Sequence, residues 1–190
     1  MSITIGSGNI LVVQRQGNGS YRIYIGLAVA EDFLRGGRGG IDLTDLDSTR
    51  SVLLTKFFAD WADEYKDLIC HSTDLRPWPL YTLSADDLDW KSVSGLTLAG
   101  DAAHLAVPNG EGVNQAMADA LKLATEIEKH GMENFDAAVR EYEKEMFPRG
   151  ISSIEEGLAM TGVMFGQEGP EAFMSLMSGL MPGGGQGDGP

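Results

Sequence analysis

The sequence predicts an α/β fold with α+β character, in which a small sheet is followed by long helices. Two stretches rich in Val, Ile, Leu and Tyr, Asn9 to Gln16 and Ser20 to Ala28, flank Gly17-Asn18-Gly19 and predict a β-hairpin. The short apolar run Leu96 to Ala99 predicts a buried strand. From Gly112 onward, apolar residues recur at helical spacing, which predicts a helical second half.

Composition and charge limit the classes of partner that the protein is expected to have. The 190 residues are 43% hydrophobic, and 28 acidic against 14 basic residues give a formal charge of −14. Nucleic acids and anionic membrane surfaces require a basic face, so neither is expected as a partner. The lone cysteine, Cys70, fits a reducing compartment and is predicted to be half-buried and unreactive. Without a signal-peptide pattern or a membrane-length apolar run, the predicted location is cytoplasmic.

Between the hairpin and Leu96 the sequence predicts one loop, one helix and one extended segment. The Gly36-Gly37-Arg38-Gly39-Gly40 stretch lacks the Lys-Ser/Thr of a phosphate-binding loop, so it is interpreted as a surface loop. Aromatic and apolar residues at helical spacing predict a helix from Asp47 or Ser48 to about Ile69. Prolines at positions 77 and 79 make the following segment, up to Leu83, extended but unsuited to a central strand.

Four helical stretches and a tail are predicted in the second half. Gly112 to His130 is amphipathic, and Asn134 can cap the next helix, which Pro148 is expected to kink or interrupt. A further helical stretch runs from Ile151 to Phe165 and a last one from Glu171 to Leu180. The glycine-rich residues 181–190 are predicted to be disordered.

One segment between the strand and the helices carries most of the functional signal. Gly100-Asp101-Ala102-Ala103-His104 follows the predicted strand, and Pro108-Asn109-Gly110-Glu111-Gly112-Val113-Asn114 leads into a helix. A strand, a glycine-bearing loop and a helix N-terminus allow backbone N–H groups to meet an anionic or carbonyl-bearing ligand. The acidic side chain lies at the carboxyl end of the strand, where open α/β sheets bind ligands.

Together with the downstream pattern, this segment resembles the second FAD motif of class A flavin monooxygenases, which have the para-hydroxybenzoate hydroxylase fold. The downstream pattern consists of Ala116, Asp119, Ala120, Leu123 and Ala124. From Asn9 to about Leu180 the chain is similar to the tetracycline-inactivating and salicylate-hydroxylase-like branches. The resemblance implies a partial fold: residues 1–94 from a substrate-binding sheet, 95–131 from the FAD-binding domain with few strands, and 132–180 as C-terminal helices.

The resemblance implies FAD as cofactor, with NAD(P)H as reductant in the full enzyme. It implies that Asp101 hydrogen-bonds the ribityl chain and that Gly110–Asn114 lines the flavin ring; helix capping is the alternative role for Asp101. The residues implied to bind the cofactor are Gly100, Asp101, Pro108, Gly110, Gly112, Val113 and Asn114. His104 and Asp119 are interpreted as structural hydrogen-bonding residues. No side chain is predicted to act as a catalytic acid or base, and no metal site is predicted.

The resemblance also implies that a large part of such an enzyme is missing. Its pyrophosphate-binding Gly-x-Gly-x-x-Gly loop has no counterpart, because Gly6-Ser7-Gly8 runs on without a third glycine or a strand-then-helix context. The chain is therefore interpreted as a C-terminal half, inactive unless a partner supplies the dinucleotide-binding half. The unpaired sheet edge would favour association with such a half or with a second copy.

The expected substrate is a small molecule, and the resemblance places the hairpin at the floor of its pocket. Arg22 and Tyr24 share one face of their strand, and Val12 on the neighbouring strand is implied to face the same pocket. Solvent-facing positions for Arg22 and Tyr24 are an equally open interpretation. Four methionines are implied to lean over this pocket, although flexible core filler is the favoured interpretation. They are Met160, Met164, Met174 and Met177.

The functional hypothesis is an FAD-dependent monooxygenase that hydroxylates an aromatic or polyketide-like small molecule. A flavin-free small-molecule-binding protein or non-redox cyclase, derived from a decayed monooxygenase, is the alternative. The missing pyrophosphate loop favours that alternative, and the intact Asp101-to-Asn114 motif speaks against it. A purely structural or interaction module is a third hypothesis, which only the exposed sheet edge supports.

Overall fold

The computed structural model describes residues 1–36 and 40–180, which form two compact units. The first unit contains residues 1–79 and the chain from Gly162 onward, and the second contains Leu80–Thr161. The predicted division at residues 94 and 131 refers to the parts of a larger enzyme, and it stays a prediction. The predicted disordered tail, 181–190, and most of the predicted glycine loop, 37–39, lie outside the described residues.

A three-stranded antiparallel sheet forms the β-part of the first unit. It contains β1 (Ser2–Ile5), β2 (Asn9–Arg15) and β3 (Tyr21–Leu27), in that order across the sheet. The predicted hairpin is confirmed as β2 and β3, whereas β1 was not predicted because its alternating pattern is only four residues long. Successive side chains alternate between the two faces, so buried Leu11 faces the core.

The helix predicted from Asp47 to Ile69 is wrong as a single element, because it is broken in the middle. Helix α1 (Leu46–Val52) passes into a π-helical turn, Leu53–Phe57, and α2 begins only at Asp63 (Asp63–Cys70). The break is stabilised by edge-to-face contacts of Trp61 with its aromatic neighbours at ring distances of 4.8 and 5.5 Å. The core of this unit comprises Leu11, Phe33, Ile41, Leu53, Phe58 and Ile69.

The predicted burial of Cys70 is also wrong, because this residue is exposed. It is the last residue of α2, immediately after buried Ile69. Since consecutive residues of a helix point in directions about 100° apart, burial of Ile69 does not carry its neighbour into the core.

The second unit begins with an extended segment that α5 (Phe135–Met164) holds in place. The predicted strand Leu96–Ala99 does not form: a single bridge, Val93 to Leu96, is the only backbone pairing that the structure shows for this stretch within the described residues. Instead, the Tyr142 hydroxyl donates to the Leu98 carbonyl over 2.9 Å. An isolated strand cannot form a ladder, and within the described residues no strand lies alongside this segment to pair with it.

Three further helices complete the two units. They are α3 (Asp101–His104), α4 (Gly112–His130) and α6 (Gly169–Leu180), and the predicted bounds of α4 are confirmed. Pro148 does not interrupt the helix, because α5 continues through it, and the expected kink stays a prediction. Proline removes one intrahelical hydrogen bond, and the Lys144 carbonyl that loses its donor belongs to an exposed residue that water can reach. None of the helices in residues 1–36 and 40–180 is long and apolar enough to span a bilayer.

Candidate functional site

The site begins at Gly100, where the extended segment turns into α3. Gly100 has φ 58° and ψ −143°, a conformation that side-chain-bearing residues rarely adopt. A Cβ at this position would also lie 3.3 Å from the Ala116 Cβ of α4. Both observations require glycine here. Asp101 follows as the first residue of α3, exposed and making no capping hydrogen bond, so the helix-cap interpretation of Asp101 is wrong.

A cavity of about 310 Å³ opens beside Asp101, between the loop after α3, the start of α4 and α5. Gly110 has φ 88°, and a Cβ on either Gly110 or Gly112 would meet no atom of the described residues within 4 Å. The backbone can therefore be approached closely at both glycines. The cavity is lined by Asp101, His104, Ala106, Val107, Pro108, Asn109, Gly110, Gly112, Val113, Gln115 and Ser153.

The loop is fixed to α5 by hydrogen bonds and by close packing. The Asn109 amide donates to the carbonyl and to the hydroxyl oxygen of Ser153, each over 3.2 Å. Its Oδ1 accepts from the Glu111 amide over 2.9 Å. At Gly157 a Cβ would lie 3.0 Å from both the side chain and the carbonyl oxygen of Val107. These contacts hold the loop against α5, where it forms one wall of the cavity.

Five of the seven residues predicted to bind the cofactor line this cavity, and two lie elsewhere. The five are Asp101, Pro108, Gly110, Gly112 and Val113. Gly100 is buried behind the loop, and the Asn114 side chain donates to Glu111 Oε2 over 2.9 Å. Their roles toward a cofactor stay predictions.

Six cavity-lining residues were not predicted as part of the site, and two of them, Ala106 and Val107, lie between the two parts of the motif. His104 and Asn109 stand within the recognised motif but were not assigned to the cavity. Gln115 lies one residue beyond the motif, and the helical periodicity of α4 could have indicated it. Ser153 lies 43 residues beyond Gly110 along the chain, and no sequence signal links the two.

Asp119 is the centre of a hydrogen-bonded cluster behind the cavity. Its carboxylate is fully buried and accepts from the Gly100 amide over 2.7 Å and from His104 Nε2 over 2.6 Å. The Arg149 guanidinium donates to its other oxygen. The interpretation of His104 and Asp119 as structural hydrogen-bonding residues is thus confirmed.

Nearby, Tyr142 is fully buried against Ala103 and Met146. Burial raises the pKa of its phenol well above the usual 10.0, and the negative charge of Asp119 adds to the shift. The native state therefore holds this proton more tightly than the unfolded state does. The contribution of the protonated Tyr142 phenol to the free energy of unfolding is fully present below about pH 10 and is lost as the pH rises above that value.

Tyr142→Phe should remove this part of the alkaline loss of stability. At neutral pH the variant should lose about 1 kcal/mol with the hydrogen bond to Leu98. Between about pH 9.5 and 11, its free energy of unfolding should fall less steeply than that of the wild type, by up to about 1.4 kcal/mol per pH unit. Urea unfolding at several pH values measures both, and parallel pH curves would contradict the prediction.

The cavity fits the flavin-ring and ribityl end of FAD, but not the whole dinucleotide. Its volume, about 310 Å³, lies at the lower limit of ligand pockets, about 300 Å³. Helix α4 begins at Gly112 without a side-chain cap, and first-turn amides have no intrahelical acceptor. Gln115 Oε1 is buried and has no hydrogen-bond partner within the described part of the chain. Amide donors and one free acceptor match a ring edge that carries carbonyl and N–H groups.

The predicted substrate residues lie together on the sheet of the first unit. Val12 is directly opposite Tyr24, and Arg22 is opposite Gln14, so all four share the face away from Leu11. Tyr24 is 49% exposed and Arg22 is exposed as well. Towards the end of β3 on this face, a Cβ on Gly26 would lie 2.9 Å from the Phe165 ring. Their role toward a substrate stays a prediction.

The four methionines are not core filler, because none of them is buried. Met174 is 64% exposed, and the other three, Met160, Met164 and Met177, are partly buried. Their predicted place over a substrate pocket stays untested.

Comparison with known proteins shows that much of the second unit is similar to a family of FAD binding domains. The FAD binding domain family matches residues 64–154. Monooxygenase penA of Penicillium thymicola is 30% identical over 154 residues, which cover 65% of this chain and 36% of that protein. Monooxygenase asqM of Emericella nidulans is 27% identical over 154 residues, covering 68% and 35%.

A shorter match has higher identity. Phenazine 1,6-dicarboxylic acid hydroxylase PhzS of Lysobacter antibioticus is 39% identical over 75 residues, which cover 37% of this chain and 18% of that protein. The chain spans about a third of the length of the first two relatives. These matches and the motif from Gly100 to Asn114 show that the chain is similar to class A FAD-dependent monooxygenases, and the FAD binding domain match supports FAD as the cofactor.

Proposed function

We propose that this chain supplies the flavin-ring and ribityl side of an FAD-dependent monooxygenase that hydroxylates an aromatic or polyketide-like small molecule. The cavity beside Asp101 is the observation that carries the proposal. Aromatic substrates are supported by two relatives, one named a phenazine 1,6-dicarboxylic acid hydroxylase and the other a 3-amino-4-hydroxybenzoate 2-monooxygenase. Bound FAD would supply the redox chemistry, as cofactors generally carry the difficult step.

The roles proposed for the chain's own residues follow from their positions in the cavity. The exposed Asp101 carboxylate accepts hydrogen bonds from ribityl hydroxyls. Gly110 and Gly112 leave room for a flat ring against the backbone. The first-turn amides of α4, from Gly112 to Asn114, stabilise negative charge on the ring by about 0.3–1 kcal/mol. This arrangement needs no side chain as acid or base.

A complementing dinucleotide-binding portion is proposed as the partner of the second unit. Three large apolar side chains follow one another at four-residue spacing along α4: Val113, Met117 and Leu121 are 74%, 61% and 72% exposed. Leu96 and Leu98 of the unpaired extended segment are exposed too. Continuous apolar surface of this kind is usually covered by a partner. The two relatives are about three times as long as the matched region. We therefore propose that the rest of the same enzyme covers this apolar surface.

The alternative, a flavin-free binding protein or non-redox cyclase, rests on the lack of a Gly-x-Gly-x-x-Gly loop in this chain. Flavin binding separates the two functions. Because the cavity accommodates only the ring and ribityl end, the 190-residue chain should bind riboflavin, FMN and FAD with dissociation constants that agree within about fivefold, or about 1 kcal/mol. Fluorescence titration with each flavin measures this.

Asp101→Ala should weaken the binding of all three flavins about tenfold, as expected for loss of a charge-assisted hydrogen bond. Asp89→Ala is the matched control, because Asp89 is an exposed carboxylate in the same unit that does not line the cavity. Binding of none of the three flavins to the wild type would overturn the proposed function and favour the flavin-free alternative. Equal effects of the two substitutions would overturn the role of Asp101.

A further inference from the structure

Three segments that surround the cavity are joined at one buried carboxylate. Asp119 Oδ2 accepts from the Gly100 amide, at the turn into α3, and from His104 Nε2, at the end of α3. Oδ1 accepts from Arg149 of α5. Asp119 itself does not line the cavity, whereas His104 does, and so does Asp101, the residue after Gly100. Any effect of Asp119 on a bound molecule must therefore pass through these neighbours.

The chemistry of the cluster determines how His104 is protonated. An ionised carboxylate can only accept hydrogen bonds, so His104 Nε2 must carry the proton that it donates to Asp119. In the neutral ring, Nδ1 is then an acceptor. A histidine that is only 4% exposed has little room to turn its ring over, so the bond to Asp119 fixes both orientation and tautomer.

The bond to Gly100 acts on the backbone. The positive φ of Gly100 sets the direction in which the chain enters Asp101, and the Gly100 amide is satisfied in that conformation by Asp119. Without this acceptor, a buried N–H group would lose its partner, which generally costs about 1–3 kcal/mol. The carboxylate thus favours the one backbone conformation that presents Asp101 to the cavity.

We propose that Asp119 is a positioning residue of the flavin site, which acts through Gly100 on the placement of Asp101 and through His104 on the ring face presented to the cavity. This inference rests on the proposed function. According to this inference, ligand affinity depends on the fully buried Asp119 as well as on the residues that line the cavity.

Asp119→Asn is the central test, because it keeps the shape and removes one acceptor. An amide offers a single oxygen to three donors, and its NH₂ group must face a donor from Gly100, His104 or Arg149. The affinity for riboflavin, measured by fluorescence titration, should fall about tenfold.

Glu126→Gln is the matched control. Glu126 is also a buried carboxylate of this unit and lies on the same helix as Asp119; it pairs with Lys122 and Lys129 and does not line the cavity. This variant should lose stability, yet its riboflavin affinity should stay within about twofold of the wild type. Equal losses of affinity in the two variants, in proportion to lost stability, would show a merely structural role and overturn the proposal.

NMR of the flavin-free chain tests the positioning role independently of flavin binding. In the wild type, the ¹⁵N shifts of His104 should show the proton on Nε2, and the Gly100 amide should exchange slowly. Asp119→Asn should change the ¹⁵N shifts of His104 and speed the exchange of the Gly100 amide. Unchanged signals would overturn the proposal even if the wild type binds flavin. If the wild type binds no flavin but these signals change as expected, the proposed function fails and the positioning by Asp119 stands.

A second variant covers the case in which Asp119→Asn does not fold. His104→Ala removes one donor and leaves those of Gly100 and Arg149 in place. It should weaken riboflavin binding while the Gly100 amide remains slow to exchange. Unchanged affinity in His104→Ala would overturn the part of the proposal that acts through the histidine.

Discussion

Replacing Gly150 with leucine should lower the free energy of unfolding of the second unit by about 3 kcal/mol, the upper end of ordinary overpacking. Gly150 is a buried residue of α5 at a point where other segments cross it closely. Even a Cβ there would lie 2.7 Å from Leu88 Cδ2 and 2.8 Å from His104 Cβ. A leucine has no space without displacing His104, so the cavity wall should be disturbed as well.

Gly162→Ala is the matched control for this substitution, since Gly162 belongs to the same helix. A Cβ at Gly162 would meet no atom within 4 Å among the described residues, and the residue is exposed. The change should stabilise α5 by about 0.5–1 kcal/mol through helix propensity alone. Urea unfolding followed by circular dichroism gives the totals, and hydrogen exchange of α4 and α5 assigns the loss. A Gly150→Leu variant as stable as the wild type would contradict the close packing at this position.

Local sequence signals were sufficient to predict those elements whose structure depends on residues close to each other in the sequence. The turn Gly17-Asn18-Gly19 and its flanking β-branched residues predict the hairpin between β2 and β3. Helix α4 ends at His130 after a long amphipathic pattern, and its bounds were predicted from that pattern; Gly131, which has φ 77°, follows it. The motif from Gly100 to Asn114 likewise identified the loop that forms one wall of the cavity.

The predictions were wrong or incomplete where the local structure depends on contacts with residues that are distant in the sequence. The region from 46 to 70 has a helical pattern throughout, yet packing of Phe58 and Trp61 favours a break. The apolar run Leu96–Ala99 predicts a strand, but a strand forms only where a neighbouring strand can hydrogen-bond its backbone N–H and C=O groups. The approach of Ser153 to the cavity depends on how α5 crosses the loop, which local periodicity does not encode.

Tyr142→Ala should lower the free energy of unfolding of the second unit by about 3–5 kcal/mol, as for other buried aromatic residues. Its ring is fully buried in the core of this unit, and its hydroxyl holds the Leu98 carbonyl. Comparison with Tyr142→Phe separates the two contributions, because phenylalanine keeps the ring and loses only the hydrogen bond. Urea unfolding at pH 7 of the three proteins measures both, and equal stability of the alanine and phenylalanine variants would contradict the packing contribution.

The expected effect of Tyr142→Ala extends to the cavity, because side chains of α5 hold the segment that leads into Gly100. Besides Tyr142, Asp136 accepts from Ser94 and from the Gly95 amide, and Glu143 accepts from Thr97. These contacts hold the segment that leads directly into Gly100. When the Tyr142 anchor is lost, hydrogen exchange should increase from residue 96 to residue 100 before α4 opens. Equal protection of that segment in the wild type and Tyr142→Ala would contradict the anchoring role of Tyr142.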